Sequence, residues 1–337
     1  MKILVTGGLG FIGSHTVVEL QAKGYEVVII DNLSNSSLSV INGIVAISGV
    51  KPTFENIDVK DKQSLHHFFT KHQDIVGVIH FAASKAVGES VENPLLYYEN
   101  NINALVYLLQ ELTSLPKVNL IFSSSCTVYG QAEKMPITED APVQQAMSPY
   151  GNTKQIGEEI ITDVAKVSSL NAILLRYFNP IGAHPSAEIG ELPLGVPQNL
   201  VPYITQTAIG MREQLSVYGK DYPTSDGTAI RDYIHVVDLA KAHVVALERL
   251  LSNKNNESVE TFNLGTGKGS SVLEVVNTFE KVTGRAVNHK IVARREGDIT
   301  EAFANTDKAN SVLGWKAQST LAEALDSAWK WEQKIRK

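Results

Sequence analysis

Five short apolar runs in the first half of the chain constrain its fold more than any other feature. They are KILVT (2–6), EVVII (26–30), VGVIHF (76–81), NLIFSS (119–124) and AILLRYF (172–178). Polar stretches with helical spacing separate them. Near-continuous apolar runs are typical of parallel strands covered on both faces, and their alternation with helices indicates βαβ units. The sequence therefore predicts an α/β fold built on a doubly wound parallel sheet.

The sequence changes character after residue 178. Residues 179–233 are rich in Pro and Gly and predict loops around one helix near 200–211. Further along come a strand end and amphipathic helix (234–251), a polar linker (253–258), a strand and turn (261–267), and helices near 270–283 and 319–335. We expect a nucleotide-binding domain of residues 1–178 plus about 234–258. Residues 179–233 and 259–337 are expected to form a smaller α/β substrate-binding domain.

The composition excludes several classes of protein. The 337 residues are 43% hydrophobic and 20% charged, as in ordinary globular proteins. No apolar run approaches the roughly 18 residues of a membrane helix. The formal net charge of −6 argues against a nucleic-acid partner. Cys126 is the single cysteine, which favours a reducing cytoplasm, and His66 and His67 lack acidic partners, so we expect no metal.

A glycine-rich turn, GGLGFIG (7–13), follows the first predicted strand and precedes a helical stretch. Glycines there permit a tight turn and the close approach of backbone to a pyrophosphate at a helix N-terminus. Asp31 ends the second strand eighteen residues after Gly13, where a carboxylate can accept bonds from ribose hydroxyls. Since a carboxylate would repel a 2′-phosphate, the pattern favours NAD over NADP. The alternative is that Asp31 only caps a turn before Asn32.

The segment SPYGNTK (148–154) is the candidate catalytic motif, because Tyr150 and Lys154 share one face of a helix. A phenol is a poor base at neutral pH, but a nearby ammonium and a cationic nicotinamide favour its ionised form. The serines at 123–125 end a strand at the sheet edge where α/β proteins bind ligands. We expect Ser125 to share the proton of Tyr150, and Ser123 and Ser124 to cap the strand. Alternatively, Tyr150 and Lys154 are a surface pair.

Taken together, these features resemble the extended short-chain dehydrogenase/reductase superfamily. Five strings narrow the resemblance to the UDP-glucose 4-epimerase family: HFAASKAVGESVENPLLYYENN (80–101), SSSCTVYG (123–130), LLRYFNPIGAHP (174–185), RDYIHVVDLA (231–240) and RREGD (294–298). This resemblance covers nearly the whole chain. It implies a Rossmann-type sheet with bound NAD, transient oxidation of a UDP-sugar at C4, and a homodimer built on two helices from each subunit.

The resemblance also implies a role for each matching residue. Tyr150 matches the catalytic base, Lys154 the lysine that lowers the pKa of that tyrosine, and Ser125 the proton-shuttling hydroxyl. The positions implied to bind NAD are Gly7, Gly10, Phe11, Ile12, Gly13, Asp31, Asn32, Asn35, Ser36, Asp58, Val59, Phe81, Ala82, Ala83, Lys85, Asn100, Ser125, Tyr150, Lys154 and Tyr177. Those implied to bind the UDP-sugar are Lys85, Ser125, Tyr150, Asn179, Asn199, Leu200, Ser216, Tyr218, Arg231, Arg295, Asp298 and Ala302.

Two of these substrate positions have an independent physical basis. Arg231 and Arg295 carry permanently charged guanidinium groups, which pair well with the oxygens of a diphosphate. Surface ion pairing is the alternative for each of them.

Ala302 corresponds to the position in this family that faces the C2 substituent of the sugar. A large tyrosine there restricts the family to UDP-glucose and UDP-galactose, whereas a small residue also admits 2-acetamido sugars. Because protein interiors do not yield room by compression, the alanine predicts activity on UDP-N-acetylglucosamine and UDP-N-acetylgalactosamine as well. The alternative is an alanine at a helix start that does not face the ligand.

Two other functions compete with epimerisation. A sugar-nucleotide 4,6-dehydratase or decarboxylase shares the superfamily, but a dehydratase needs acids just after the strand-end hydroxyl, where this chain has Cys126 and Thr127. We expect Cys126 to be a packing residue. A nucleotide-sensing protein without catalysis has no need for Tyr150, Lys154 and Ser125 together.

Overall fold

The computed structural model describes residues 1–117, 119–295 and 298–337. Its strands are β1 (Lys2–Thr6), β2 (Glu26–Asp31), β3 (Thr53–Asn56), β4 (Ile75–His80), β5 (Asn119–Ser123), β6 (Asn171–Tyr177), β7 (Asn179–Ile181), β8 (Leu215–Tyr218), β9 (Ile230–Arg231), β10 (Tyr233–His235), β11 (Val259–Leu264), β12 (Ser270–Ser271), β13 (His289–Val292) and β14 (Glu301–Ala302). Its helices are α1 (Phe11–Ala22), α2 (Val40–Ser48), α3 (Lys62–Lys71), α4 (Val87–Glu92), α5 (Pro94–Tyr98), α6 (Ala104–Leu112), α7 (Pro149–Val167), α8 (Leu200–Ala208), α9 (Val236–Leu251), α10 (Val272–Thr283) and α11 (Leu321–Ile335).

Seven parallel strands form the central sheet, in the order β11-β6-β5-β4-β1-β2-β3. The strand order reverses between β1 and β4, which is the point where doubly wound sheets bind ligands at their carboxyl edge. The predicted doubly wound fold is confirmed. All five predicted strands lie in this sheet.

Alternating residues of the strands face two different helical layers. Ile3 and Val5 of β1 pack into one apolar core with helices α1, α2 and α9, whereas Leu4 packs into the core under α3, α6 and α7. Burial of both faces explains why the strands are apolar without interruption. The amphipathic helices close both faces and leave the carboxyl edge of the sheet for function.

Two strands of the sheet differ from the sequence-based expectation. Strand β3, TFEN, was not predicted, because it forms no apolar run: its end residues Thr53 and Asn56 are exposed and Phe54 and Glu55 are half-buried. Strand β11 was assigned to the substrate-binding domain, but it pairs with β6 in the large sheet. Its apolar residues Phe262 and Leu264 are fully buried in the same core as β1 and explain this position. The domain division otherwise stays a prediction.

The second half of the chain builds a separate apolar core from α8, α10, α11 and β8. Three small sheets accompany it, with strand orders β10-β7, β12-β9-β14 and β13-β8. Helices α10 and α11 each begin with a capping box, at Ser271 and Thr320 respectively, which satisfies their free N–H groups. In the described part of the chain, no helix has the length and apolar character needed to cross a membrane.

Candidate functional site

The glycine turn connects β1 to the N-terminus of α1. Gly7 has φ +67°, and a Cβ on Gly13 would lie 2.3 Å from the carbonyl oxygen of Gly7, so glycine is required at both positions. Gly10 is the N-cap of α1, and no side chain of the described residues caps this helix. The turn therefore leaves backbone N–H groups at a positive helix end, which suits a pyrophosphate.

Asp31 lies beside this turn. Its buried carboxylate accepts hydrogen bonds from the backbone N–H groups of Leu9 (3.1 Å) and Leu33 (2.9 Å) and from the hydroxyl of Ser36 (2.8 Å). It thus does cap a turn, as the alternative interpretation proposed. A carboxylate has about four acceptor sites, so the side chain can still accept from a ribose hydroxyl. The residues fit the adenosine end of NAD.

The other positions implied to bind NAD line the same edge or lie just behind it. The Asn32 side chain donates to Asp58, and the Asn100 side chain donates to Ser84 while its buried Oδ1 has no partner within the described residues. Val59 is buried in the core, so only its backbone faces outward. Asn35 is exposed, Phe11, Ile12, Ala82 and Ala83 are half-buried, and the ring of Phe81 packs against His243. An unpartnered buried amide oxygen is a feature expected of a ligand site.

Tyr150, Lys154 and Ser125 meet at the carboxyl edge of the sheet. Helix α7 begins at Pro149 and is capped by Ser148, whose hydroxyl accepts a hydrogen bond from the Gly151 N–H. Tyr150 and Lys154, four residues apart, both lie on the buried face of this helix. The Lys154 ammonium donates to the Ser123 carbonyl at 2.8 Å and lies 5.9 Å from the centre of the Tyr150 ring. The structure therefore brings together the three residues that sequence reasoning chose, and a surface location for the pair is wrong.

Burial governs the ionisation of Tyr150 and Lys154 in the chain alone. Burial raises the pKa of Tyr150 well above its ordinary value, and Ser125 only partly opposes this shift. Burial also lowers the pKa of Lys154 to about 8, against the attraction of Glu158. Within the described chain, the groups around Tyr150 alone do not lower its pKa. A cationic ligand at the phenol would supply the missing charge.

The two serines expected as caps have other contacts. Ser123 shares a hydrogen bond of 2.9 Å with the hydroxyl of Tyr177, and Ser124 donates to Glu158 at 2.5 Å. Glu158 also forms a buried ion pair with Arg176. Sequence reasoning missed Glu158 and Arg176. The available signal was an acid one helical turn after Lys154.

Most of the positions implied to bind the UDP-sugar lie in the second half of the chain. Arg231 pairs with Asp298, and the guanidinium of Arg295 lies 4.1 Å from the centre of the Tyr218 ring. Leu200 begins α8, while Ser216 and Tyr218 belong to β8, and Asn179 begins β7. Two positions of the RREGD string, 296 and 297, lie outside the described residues. Arg231 already has an ion-pair partner, as its alternative interpretation proposed, but its location is compatible with a diphosphate.

One carboxylate links two of the remaining positions. Glu191 accepts a hydrogen bond from the Asn199 side chain at 2.6 Å and lies 3.6 Å from the Lys85 ammonium. Lys85 follows β4 and Asn199 precedes α8, so Glu191 connects the large sheet to the second core. The sequence analysis did not select Glu191.

Ala302 lies on β14, paired with Arg231 on β9. It is 6% exposed and belongs to a small apolar cluster with Val128 and Tyr129, against which Cys126 packs. It is therefore a strand residue near the Ser125 loop, and the alternative of a helix-start alanine is wrong. Cys126 is a packing residue as expected, and burial raises its pKa to about 12.

The fold and site define a class: a nucleotide-binding α/β protein with the serine, tyrosine and lysine of the short-chain dehydrogenase/reductase superfamily. Residues 4–328 match the family model described as GDP-mannose 4,6 dehydratase. The UDP-glucose 4-epimerase of Bacillus subtilis (strain 168) is 50% identical over 333 residues, which are 98% of this chain and 97% of the relative.

Two solved structures resemble the fold closely. A UDP-glucose 4-epimerase from Stenotrophomonas maltophila, with bound NAD and formylated UDP-arabinopyranose, has a TM-score of 0.96 and 47% identity, covering 100% of this chain and 99% of that one. One from Bifidobacterium longum, in complex with NAD+ and UDP, has a TM-score of 0.94 and 44% identity with the same coverage. This chain belongs to the UDP-glucose 4-epimerase family.

Proposed function

We propose that this protein is an NAD-dependent isomerase that interconverts UDP-glucose and UDP-galactose through a 4-keto intermediate. The observation that carries the proposal is the meeting of Tyr150, Lys154 and Ser125 at the carboxyl edge, beside the glycine turn. Family membership at about half identity over nearly the whole chain supports it. Similar proteins hold NAD and UDP in their structures.

The chain's own residues handle the proton in this reaction. Tyr150 takes the proton of the sugar's C4 hydroxyl and later returns it on the other face, while Ser125 relays it between sugar and phenol. The ammonium of Lys154 favours the ionised phenol. Bound NAD supplies the acceptor of the C4 hydride and a positive charge near Tyr150. The glycine turn, Asp31 and Asn100 are the residues proposed to hold it.

Inversion requires the sugar to turn while the nucleotide stays bound. Arg231 and Arg295 are proposed to hold the diphosphate, since both carry permanent charge and each contacts another position implied to bind the UDP-sugar, Asp298 and Tyr218 respectively. Binding energy from the UDP portion then leaves the sugar with few tight contacts. This distribution of contacts allows either face of the keto sugar to be presented.

The small Ala302 side chain supports a broader substrate range that includes the two N-acetylhexosamine nucleotides. Ala302 packs in the cluster that includes Cys126 and Val128, next to Ser125 in the chain, and alanine takes up less of the space there than a tyrosine would. The dehydratase alternative is disfavoured because Cys126 and Thr127 occupy the places of the required acids, and the raised pKa of Cys126 makes its thiol inert.

A homodimer is proposed that is built on two helices from each subunit, α4 and α5. Val87, Val91 and Leu95 are 49%, 62% and 81% exposed on α4 and α5, which pack against α7. Clustered exposed apolar side chains are typical of an interaction surface. Sedimentation of the purified protein tests this, since a monomer at micromolar concentration would contradict it. Residence in the cytoplasm stays a prediction from the single cysteine.

The decisive experiment is turnover without added cofactor. Purified protein incubated with UDP-galactose is expected to yield UDP-glucose, because each cycle regenerates the bound NAD. Formation of a 4-keto-6-deoxy product would favour the dehydratase alternative. Absence of any turnover, with UDP-sugar binding retained, would favour the nucleotide-sensing alternative.

A further inference from the structure

Glu158 is a buried acid one helical turn beyond Lys154 on α7. Its side chain is 9% exposed, and it faces the sheet with Tyr150 and Lys154. Buried carboxylates are uncommon unless they are paired. Glu158 has two polar partners, Ser124 and Arg176.

The first partner is Ser124, whose hydroxyl donates to Glu158 at 2.5 Å. Ser124 lies between Ser123, whose carbonyl accepts from Lys154, and Ser125, which faces Tyr150. Fixing the middle residue fixes the backbone on both sides. Glu158 therefore holds the strand end that presents Ser125 and the acceptor for Lys154.

The second partner is Arg176 on β6. Its Nε donates to Glu158 at 3.0 Å and its Nη2 at 2.6 Å, and its guanidinium lies 4.8 Å from the centre of the Tyr129 ring. A two-point guanidinium contact fixes the carboxylate in direction as well as position. If the Glu158 carboxylate rotated away from β6, the buried Arg176 guanidinium would lose its ion-pair partner.

The groups that face Lys154 give it little other electrostatic support. Those described are His80 from β4, Phe122 and the Ser123 carbonyl from β5, and Tyr150 and Glu158 from α7, while Arg176 of β6 is paired with Glu158. Burial lowers the pKa of His80 to about 3, so this ring is neutral. Of the described side chains, Glu158 is the charged one that opposes desolvation of the Lys154 ammonium.

We infer that Glu158 is a positioning residue for the reaction: its carboxylate holds Lys154 in the ammonium form and, through Ser124, fixes the segment that carries Ser125. The inference rests on the proposed function. It adds an acid to a site in which the serine, tyrosine and lysine alone were expected.

The test compares Glu158→Gln with a matched variant at another buried ion pair. Glutamine keeps the size of the side chain and can still accept from Ser124, but it removes the charge. Glu260→Gln is the control, because Glu260 forms an equally buried two-point pair with Arg249 (2.7 and 2.8 Å) near the amino end of β11, away from the site. Both variants are expected to lower the melting temperature.

Only Glu158→Gln is expected to change the pH profile. Loss of the negative charge lowers the pKa of Lys154, so the alkaline limb of kcat should move about one pH unit lower, with roughly a 10-fold loss at high pH. KM for UDP-galactose should stay within about 2-fold of the unmutated value. Glu158→Asp keeps the negative charge, so its alkaline limb of kcat should lie at the same pH as in the unmutated protein. A direct readout is the ¹³Cε shift of labelled Lys154, assigned with a Lys154→Arg spectrum, which should titrate at lower pH in Glu158→Gln.

Identical alkaline limbs and Lys154 titrations in Glu158→Gln, Glu260→Gln and the unmutated protein would overturn the inference. If Glu158→Gln does not fold, Ser124→Ala removes the hydroxyl that links Glu158 to the strand end. A kcat loss larger than in Glu260→Gln is then expected, with KM within about 2-fold, and an unchanged kcat would contradict the inference. The proposed function is tested separately, because its failure would leave the unmutated protein without turnover. The Lys154 titration would still report on Glu158 in that case.

Discussion

At the scale of single residues, the proton chemistry depends on one phenol. Tyr150→Phe keeps the ring and its packing but removes the hydroxyl that exchanges a proton with the sugar. We expect epimerisation to fall by at least about 100-fold, the usual loss for a general acid-base group, while UDP binding persists. The measurement is turnover of UDP-galactose beside UDP titration by calorimetry. Near-normal turnover would mean that another group carries the proton.

Substrate range also depends on one residue. Ala302→Tyr places a large ring on β14 near the Ser125 loop, at the position proposed to face the C2 substituent of the sugar. We expect loss of activity on UDP-N-acetylglucosamine with the glucose and galactose nucleotides spared, measured with both substrate pairs on both proteins. Ala304→Ser, two residues along and fully buried, is the control for local disturbance. Failure of the unmutated protein to epimerise UDP-N-acetylglucosamine would contradict the prediction.

The residue scale shows what sequence can supply. Tyr150, Lys154 and Ser125 were found because a spacing and a strand end bring them together. Glu158 and Arg176 were not, because their pairing joins a helix to a strand that follows it, and nothing in either segment specifies that contact. The rise in the pKa of Tyr150 on burial was also not anticipated, since burial depends on the packing of the whole edge.

At the scale of elements, the turn between β1 and α1 should set cofactor content. Purified protein is expected to release NAD(H), and not NADP(H), on denaturation, because Asp31 would repel a 2′-phosphate. Gly13→Ala should release far less, since its Cβ would meet the Gly7 carbonyl at 2.3 Å. Gly88→Ala is the control, because a Cβ there meets no described atom within 4 Å. Enzymatic assay of the released dinucleotide distinguishes these outcomes, and bound NADP(H) would contradict the role given to Asp31.

The elements also mark the limit of pattern-based prediction. Buried strands such as β1 and β6 are apolar throughout and were readily predicted. The edge strand β3 is half exposed and carries no such pattern. Strand β11 was predicted as a strand but assigned to the substrate-binding domain instead of the large sheet. Its partner β6 precedes it by more than 80 residues, and sequence order alone does not show which distant strands pair.

At the scale of the whole molecule, buried histidines should make stability depend on pH. Burial lowers the pKa of His15 and His80 to about 3 and that of His243 to about 4, from an ordinary value of 6.5. Below pH 6.5 these three histidines are therefore protonated in the unfolded chain but stay neutral in the folded chain. Stability is expected to fall as pH drops from 6.5 towards 4, by up to about 1.4 kcal/mol per pH unit for each histidine.

Melting temperatures between pH 7 and 5 measure this dependence. His243→Gln should flatten the slope, whereas His67→Gln, at an exposed position on α3, should leave it unchanged. Equal slopes in all three proteins would show that other groups control the acid response.

The position of β11 in the sheet has a consequence for synthesis. Ala172 at the start of β6 pairs with Val259, so the sheet cannot be completed until the chain has passed residue 264. Until then, β6 is an edge strand with unpaired backbone groups, and the apolar surface awaiting Phe262 and Leu264 is open to water. A nascent chain of this protein therefore has a nearly complete nucleotide-binding sheet whose β6 edge is unpaired while most of the second core is still being made. During that interval the β6 edge depends on ribosome-associated chaperones for protection from aggregation, because β11, the strand that pairs with it, has not yet been translated.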